Sequence, residues 1–299
     1  MTQAAPIAIF VYQRAEHTRR MLRSLLGNAL AMQSPISIYC DGPRGEQDAD
    51  AVARARAVVR DLAPAHARVV ERDGNLGLAR SVIAGVSDAI AAHGAAIVIE
   101  DDLELSPVAL DYFNAALARY RDEERVMHLS GYMYPVGAVL PEAFFYREAT
   151  CYGWATWSRA WQHFEADGRR ILQALRDRGA RHDFDVSGSI DFSGMLEAQI
   201  AGRVDSWAIR WYGSIWMRGG LALHPGRSLI RNTGFDGSGE HGGASAAYDV
   251  ELCTQPVRAF PGTIEEDGSA LKAMIAYRRG AVWRNKRDAL RRAWRRWLS

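Results

Sequence analysis

The sequence has little cysteine and no long apolar run, and both absences narrow the possible classes of protein. Its three cysteines, Cys40, Cys151 and Cys253, are widely spaced and odd in number, which favours a reducing compartment and argues against a structural zinc site. No stretch of about 18 apolar residues occurs, so no transmembrane helix is predicted. The N-terminus has no basic segment before its first apolar run, so no signal peptide is predicted.

Two nucleotide-binding signatures are also missing. The chain has no G-x-x-x-x-G-K-[ST], and no G-x-G-x-x-G follows its first predicted strand. A P-loop protein and an NAD-binding Rossmann domain are therefore disfavoured. The 299 residues are 48% hydrophobic, which is enough to bury the core of one large domain or two modest ones.

Apolar runs alternate with amphipathic segments through the first half of the chain, and this pattern predicts an α/β fold. We expect a mostly parallel sheet with helices on both faces and right-handed crossovers. The carboxyl ends of parallel strands meet at one rim, where such sheets bind ligands. The predicted strands are Pro6–Tyr12, Pro35–Cys40, Ala67–Glu71, the apolar run that begins at Ala95, and Val126–Ser130.

The segment AAIVIEDDLEL, Ala95–Leu105, carries three consecutive acids at the end of a buried strand: Glu100, Asp101 and Asp102. Burying three carboxylates costs several kcal/mol unless a positive charge compensates. Mg²⁺ or Mn²⁺ would suit oxygen ligands and substrate phosphates. Strand alternation predicts Glu100 and Asp102 on one face and Asp101 on the other. The alternative is an acidic turn that faces water.

Other polar residues are expected at the same rim, each with a structural alternative. Asp41 could accept hydrogen bonds from a nucleobase, or it could cap the turn at Gly42-Pro43. Arg80 lies in the first turn of a helix behind a glycine-containing loop, a geometry that suits phosphate. The alternative there is an ordinary helix start capped by Asn75.

The second half of the chain is rich in aromatic residues. They could form a packed core, or provide ring faces for binding sugars. We expect most of them to lie in the core and one or two to contact a sugar. They are Tyr146, Tyr152, Trp154, Trp157, Trp161, Trp207, Trp211, Tyr212 and Trp216.

A helix is predicted from Asp205 or Ser206 onward, with Trp207, Trp211 and Ile215 on one face. Asp205 or Ser206 is a suitable N-cap. A carboxylate at this position could alternatively act as a general base.

A glycine-rich segment covers residues 228–245 and contains Arg231 and His241. Loops of this composition often close over ligands. His241 could ligate a metal or contact a pyrophosphate, and the alternative is an isolated surface histidine.

The C-terminal segment from Arg278 carries a formal charge of +8, whereas the rest of the chain carries −6. Its tryptophans alternate with arginines, which is typical of an amphipathic helix lying on anionic lipid. A solvated basic tail and a nucleic-acid-binding segment are the alternatives. Basic residues confined to one terminal helix on an acidic body favour a membrane surface over nucleic acid.

Four segments in this order, EDDLELSP, CYGWATW, VDSWAIRW and NTGFDGSGEHGG, resemble GT-A fold glycosyltransferases. The resemblance is to bacterial polysaccharide or O-antigen enzymes and, more distantly, to the N-acetylglucosaminyltransferase I family. It extends from Pro6 to His241 and excludes the basic tail. It implies a Rossmann-like GT-A fold with a nucleotide-sugar-binding half (residues 1–130), a catalytic and acceptor-binding half (131–265) and a basic amphipathic tail (266–299).

The resemblance also implies functional roles. Asp102 would hold a divalent cation, Mn²⁺ or Mg²⁺, and Asp205 would be the catalytic base. The remaining donor-binding residues would be Arg14 at the nucleotide, Asp41 at the base, Glu100 and Asp101 near the ribose and sugar, with Asn75, Arg80, Arg231 and His241.

The predicted function is therefore a metal-dependent inverting glycosyltransferase. It would move a sugar from a nucleotide-sugar, a UDP-sugar by resemblance, to a hydroxyl of a glycan or lipid-linked glycan in cell-surface polysaccharide assembly. A cytoplasmic protein, peripheral on the inner membrane, fits the basic tail.

Two other functions compete with this prediction. A sugar nucleotidyltransferase would need a glycine-rich basic loop directly after the first strand, where this chain has Gln13–Glu16. The second is a non-catalytic, membrane-associated glycan-binding module, and the intact acidic triplet and Asp205 argue against it.

Overall fold

The computed structural model describes residues 4–236 and 249–280. The strands are β1 (Ile7–Val11), β2 (Ile36–Cys40), β3 (Arg68–Glu71), β4 (Ala95–Glu100), β5 (Leu103–Leu105), β6 (Val126–Ser130), β7 (Ala143–Tyr146), β8 (Trp154–Trp157), β9 (Leu221–Pro225) and β10 (Ile230–Asn232). The helices are α1 (Ala15–Leu26), α2 (Glu46–Leu62), α3 (Leu78–His93), α4 (Ala109–Arg119), α5 (Ser158–Trp161), α6 (Gly168–Asp177), α7 (Arg181–Phe184), α8 (Phe192–Ile200) and α9 (Trp207–Met217). A further helix covers residues 268–280. Two 3₁₀ turns lie at Ala31–Gln33 and Gly234–Asp236.

One eight-stranded sheet runs through both halves of the chain, in the order β3-β2-β1-β4-β8-β6-β9-β7. Strand β8 is antiparallel to β4 and β6, and β7 is antiparallel to β9, while the remaining neighbours are parallel. The predicted α/β class, with a mostly parallel sheet, is therefore confirmed.

Helices cover both faces of the sheet because its strands are apolar on both sides. In β1, Ile7 and Ile9 pack into the core beneath α1, α2 and α4. Ala8 and Phe10 pack into the opposite core, with α3, α5, α6, α8 and α9. This two-sided burial holds the strands rigid and leaves their carboxyl ends as the rim that can bind ligands.

The buried strand predicted within the stretch Ala95–Leu105, with acids at its carboxyl end, is found, but the predicted alternation of the acids is wrong. Strand β4 ends at Glu100, the chain turns at Asp101 and Asp102, and β5 pairs with β10 in a separate two-stranded sheet. The predicted alternation of the three acids fails because a turn interrupts the two-residue repeat of the strand. Asp101 and Asp102 consequently reach the same partner, Arg14.

The aromatic residues of the second half lie mostly in the core, as predicted. Trp154 and Trp211 are fully buried, and Trp154 stacks on His128 and Trp207 with ring centroids 5.2 Å apart in both pairs. Trp207, Trp211 and Ile215 share the buried face of α9. This packing fixes the N-terminal end of α9, where Asp205 lies.

Within residues 4–236 and 249–280, the structure contains no helix with the length and apolar character needed to cross a membrane. His241 and the basic tail beyond residue 280 lie outside the described residues. The roles predicted for His241 and for the basic tail remain predictions.

Candidate active site

Three acids follow β4 at the rim, and we call them the acidic cluster: Glu100, Asp101 and Asp102. Arg14 lies at the end of β1 and donates from Nη2 to Asp101 Oδ1 at 2.8 Å and to Asp102 Oδ2 at 2.9 Å. The backbone N–H of Tyr12 donates to Asp101 Oδ2 at 3.2 Å. The parallel pairing of β1 with β4 brings these residues together.

The acidic cluster carries more negative charge than Arg14 neutralises. Burial, together with the charges of Asp102 and Asp101, raises the pKa of Glu100 to about 8. Burial also raises the pKa of Asp101, although Arg14 opposes the shift. For Arg14, burial alone would lower the pKa, but the two aspartates raise it. Three carboxylates facing one guanidinium make an environment that favours a further cation.

The 3₁₀ turn Gly234–Asp236 lies against Asp102. Thr233 donates to the backbone oxygen of Asp102 through its N–H at 2.8 Å and its hydroxyl at 2.9 Å. A Cβ atom on Gly234 would lie only 2.2 Å from Asp102 Oδ2. Asp236 Oδ2 lies 3.2 Å from Nε2 of the buried His17 on α1. Because position 234 is a glycine, the 3₁₀ turn can lie this close to Asp102 of the acidic cluster.

No group of three or more His, Cys, Asp or Glu side chains in the described part of the chain is arranged to hold a metal ion. Mg²⁺ and Mn²⁺ sites, however, typically use one or two carboxylates and take further ligands from water and substrate phosphates. The acidic cluster offers hard oxygen donors and a net negative charge. Its residues therefore fit a divalent cation.

A cleft of about 510 Å³ opens at the same rim, beside the loops that follow β2 and β3. It brings two arginines, Arg44 and Arg80, together with one carboxylate, Asp205. This combination suits a ligand that carries negative charge and exchanges a proton. The lining residues are Pro43, Arg44, Gly74, Asn75, Leu76, Gly77, Arg80 and Asp205.

Asp41 and Asn75 join the two loops that form the cleft. The buried carboxylate of Asp41 accepts hydrogen bonds from the N–H of Leu76 at 3.0 and 3.1 Å and from that of Gly42 at 3.2 Å. Asn75 donates to the backbone oxygen of Gly42 and accepts from the N–H of Gly77, both at 2.9 Å. The side chains of Asp41 and Asn75 therefore fix the backbone of the two loops that form the cleft.

Arg80 lies in the first turn of α3, which begins directly after Gly77. Its Nε donates to the backbone oxygen of Leu76 at 2.7 Å, and the side chain is exposed. Gly77 has φ +77°, a left-handed conformation that glycine adopts without strain. Gly77 and Arg80 both line the cleft, so α3 begins there with first N–H groups that have no partner within the helix.

Asp205 precedes α9 and is not the residue that caps it. The hydroxyl of Ser206 accepts a hydrogen bond from the N–H of Ile209 at 3.3 Å, so Ser206 is the N-cap. The side chain of Asp205 is 66% exposed, and its Oδ1 accepts from Arg210 Nη2 at 3.3 Å. No described residue donates to Oδ2, so one oxygen of this carboxylate is available to a ligand in the cleft.

Arg231 lies on β10 opposite Glu104 of β5. Its Nε donates to Glu104 Oε2 at 3.0 Å, and its Nη2 forms a second hydrogen bond to the same oxygen. Arg231 is absent from the lining of the cleft. Arg231 therefore lies beside the turn that covers Asp102, and it is paired with Glu104.

Sequence reasoning missed two residues at the rim, Tyr12 and Arg44. The guanidinium carbon of Arg44 lies 5.4 Å from the ring centroid of Tyr12, and the Tyr12 hydroxyl donates to Asp48. Burial and the bond to Asp48 raise the pKa of Tyr12 to about 12. Tyr12 ends the first predicted strand and Arg44 lies in the turn after the second, and these positions at the carboxyl ends of parallel strands could have identified both residues.

A scan against protein-family models finds no match for the chain, and a search of curated proteins finds none either. Solved structures give weak similarities. A mannosyltransferase from Pyrobaculum calidifontis, solved with GDP-Man and Mn²⁺, is 12% identical with a TM-score of 0.36, over 72% of this chain and 69% of that one. The mannose-1-phosphate geranyltransferase from Thermus thermophilus is 12% identical with a TM-score of 0.36, over 76% and 75%.

The third similar structure is S. aureus TarS, which is 14% identical with a TM-score of 0.30. The match covers 46% of this chain and only 23% of TarS. Similarities of this size do not transfer an activity, so the site is interpreted from its own residues.

Proposed function

We propose that the chain is a GT-A type glycosyltransferase that moves a sugar from a nucleotide-sugar, a UDP-sugar, to a hydroxyl of a glycan or lipid-linked glycan. One observation carries this proposal. A single rim combines the acidic cluster, which can share a cation with a diphosphate, with a cleft that contains Arg44, Arg80 and Asp205. The segments that resemble glycosyltransferases supply most of these residues.

In this proposal, the donor diphosphate lies between the acidic cluster and the arginines. Asp102 holds Mn²⁺ or Mg²⁺, and Arg14 and Arg80 contact the nucleotide. Glu100 and Asp101 lie near the ribose and the sugar. The cation, when bound, neutralises charge that develops on the departing nucleoside diphosphate. The first N–H groups of α3, which have no partner within the helix, orient the donor.

Asp205 is proposed as the general base. Its Oδ2 takes the proton of the acceptor hydroxyl while the acceptor oxygen bonds to the anomeric carbon. The bond from that carbon to the diphosphate oxygen breaks in the same displacement, and the nucleoside diphosphate leaves with the electron pair. One displacement inverts the anomeric configuration. A positioned base of this kind contributes about 10²–10⁴-fold to the rate.

The cellular setting is a proposal that rests on the sequence. A basic tail with interleaved tryptophans suits an anionic membrane surface, where a lipid-linked glycan would be presented. The protein would then act in polysaccharide assembly as a peripheral protein at the cytoplasmic face of the inner membrane. The tail residues concerned lie beyond residue 280, outside the described range.

The direct test is a donor screen on the full chain. UDP-, GDP-, CMP- and dTDP-sugars are added with and without Mn²⁺, and thermal stability and nucleotide release are measured. We expect a UDP-sugar to stabilise the protein only with Mn²⁺ and to release UDP. Pyrophosphate release from a nucleoside triphosphate and a sugar phosphate would instead identify a nucleotidyltransferase, and binding without any release would identify a glycan-binding module.

A further inference from the structure

Arg210 is the only described residue whose side chain donates to Asp205, and its guanidinium is held from several sides. Nε donates to the backbone oxygen of Ser206 at 3.1 Å, and Nη1 donates to that of Ala166 at 3.4 Å. The ring of Phe164 lies 6.0 Å from the guanidinium carbon. Only 12% of the Arg210 side chain is exposed, compared with 66% for Asp205. A fixed cation therefore faces an exposed carboxylate.

The remaining nitrogen of Arg210, Nη2, donates to Asp205 Oδ1 at 3.3 Å. The two carbonyl contacts determine where this nitrogen points, because the planar guanidinium cannot rotate without breaking both. Oδ1 is thereby engaged by Arg210, and Oδ2 is left for a ligand. Burial lowers the pKa of Arg210 and Asp205 opposes this shift, but the side chain stays charged at any working pH.

We propose that Arg210 is a positioning residue that fixes the carboxylate of Asp205 and keeps it ready to accept a proton in the glycosyl transfer. This inference rests on the proposed function, since it requires Asp205 to be the base. Arg210 contacts Asp205 and not the reacting atoms. Its hydrogen bond to Oδ1 restricts the orientation of the carboxylate and leaves Oδ2 without a described donor.

Other charges act on Asp205 and must be kept constant in a test. Arg44 and Arg80 line the same cleft from the loop after β2 and from α3. Arg203 lies two residues earlier in the chain. On the far side of Arg210, Glu165 is paired with Arg170 at 3.4 Å. Arg170 belongs to this neighbourhood but has no contact with Asp205, and it is the matched control.

The experiment uses hydrolysis of the donor, in which water takes the place of the acceptor hydroxyl. UDP released from UDP-glucose, UDP-galactose and UDP-N-acetylglucosamine with Mn²⁺ is measured from pH 4 to 9 in the full-length chain. The variants are Arg210→Lys, which keeps the charge, Arg210→Met, which removes it, and Arg170→Met. Melting temperatures of all variants are recorded.

In Arg210→Met we expect kcat to fall about ten-fold through lost orientation of the Asp205 carboxylate, with the KM for the donor nearly unchanged. Arg210→Lys, which can still donate to Asp205, should keep most of the wild-type kcat, and Arg170→Met should match the wild type throughout.

An unchanged kcat in Arg210→Met, or an equal loss of rate in the Lys and Met variants, would overturn the inference while leaving the proposed function intact. If the wild-type chain released UDP from none of the three donors, the proposed function would be contradicted and this inference with it.

Discussion

The rim of the sheet and the tryptophan-rich interior differ in how much charge they leave uncompensated. In the interior, the indole N–H of Trp211 donates to His128 Nδ1 at 3.1 Å, and His128 Nε2 lies 3.1 Å from the backbone oxygen of Thr150. At the rim, three carboxylates face one arginine, and Asp205 keeps an oxygen to which no described residue donates. The interior therefore packs uncharged groups in one conformation. The rim, in contrast, retains negative charge that a bound cation can neutralise.

The largest expected effect is on catalysis at the rim. Asp205→Asn should lower sugar transfer by about 10²–10⁴-fold, because the amide cannot accept the proton. Donor binding and the free energy of unfolding should stay close to wild type, since the side chain is mostly exposed. Steady-state kinetics and donor titration test this prediction, and normal turnover would remove Asp205 from the role of base.

In the interior, the expected effect is on stability. Trp154→Ala should lower the free energy of unfolding by about 3–5 kcal/mol, the usual loss for a buried aromatic ring. The ring is fully buried between His128 and Trp207, so a cavity would remain. Urea unfolding at pH 7.5 measures the loss. A change below about 1 kcal/mol would mean that this region is not the packed core described above.

The buried histidines predict a dependence of stability on pH. Burial lowers the pKa of His128 to about 3 and also lowers that of His224. Because the unfolded chain binds these protons near pH 6.5, stability is complete above that pH and falls as the pH drops toward 3. Each histidine should contribute up to about 1.4 kcal/mol per pH unit.

Comparing His128→Gln with the wild type isolates this contribution. Glu100 adds a slope of opposite sign, because its pKa is raised and the folded state holds the extra proton. That slope is present in both proteins and cancels in the difference. Urea midpoints at pH 7.5, 6.5 and 5.5 should fall less steeply in the variant. Equal slopes would show that His128 is not held neutral by burial.

The smallest expected effect concerns the approach of Gly234 to Asp102. Gly234→Ala would bring a Cβ within 2.2 Å of Asp102 Oδ2, so the carboxylate must shift. We expect the affinity for UDP with Mn²⁺ to weaken about ten-fold, equivalent to about 1.4 kcal/mol. Gly262→Ala, where nothing lies within 4 Å of the added Cβ, is the control. Equal affinities in the two variants would contradict the placement of Asp102 at the ligand.

The sequence predicted those elements whose apolar pattern is long and uninterrupted. The strand Val126–Ser130 and the alternation of strands and helices before it are found as predicted. The short antiparallel strands β7 and β8 were not predicted, because four buried residues in a row carry no distinctive period. The alternation expected of the three acids was wrong, because the chain turns at Asp101 and Asp102 instead of continuing as a strand.

At the candidate site, the residues were easier to predict than their partners. Parallel strands bring Arg14, Asp41 and the acidic cluster to one rim, as expected. The pairing of Arg14 with two aspartates, and of Asp41 with backbone N–H groups, depends on loop conformations that sequence patterns do not specify. Arg210 was missed for the same reason, since one of its carbonyl partners comes from a segment 44 residues away.

The most direct test of the account measures thermal stabilisation by UDP in the presence of Mn²⁺. At about 100 times the dissociation constant, bound ligand adds roughly 2.7 kcal/mol, which raises the melting temperature by about 5–10 °C. We expect this shift in the wild type and in the control Asp111→Asn, whose exposed carboxylate lies in the first turn of α4. It should vanish in Asp102→Asn or when Mn²⁺ is chelated. An equal shift in Asp102→Asn, or none in the wild type, would contradict the central claim that the acidic cluster binds a nucleotide diphosphate through a cation.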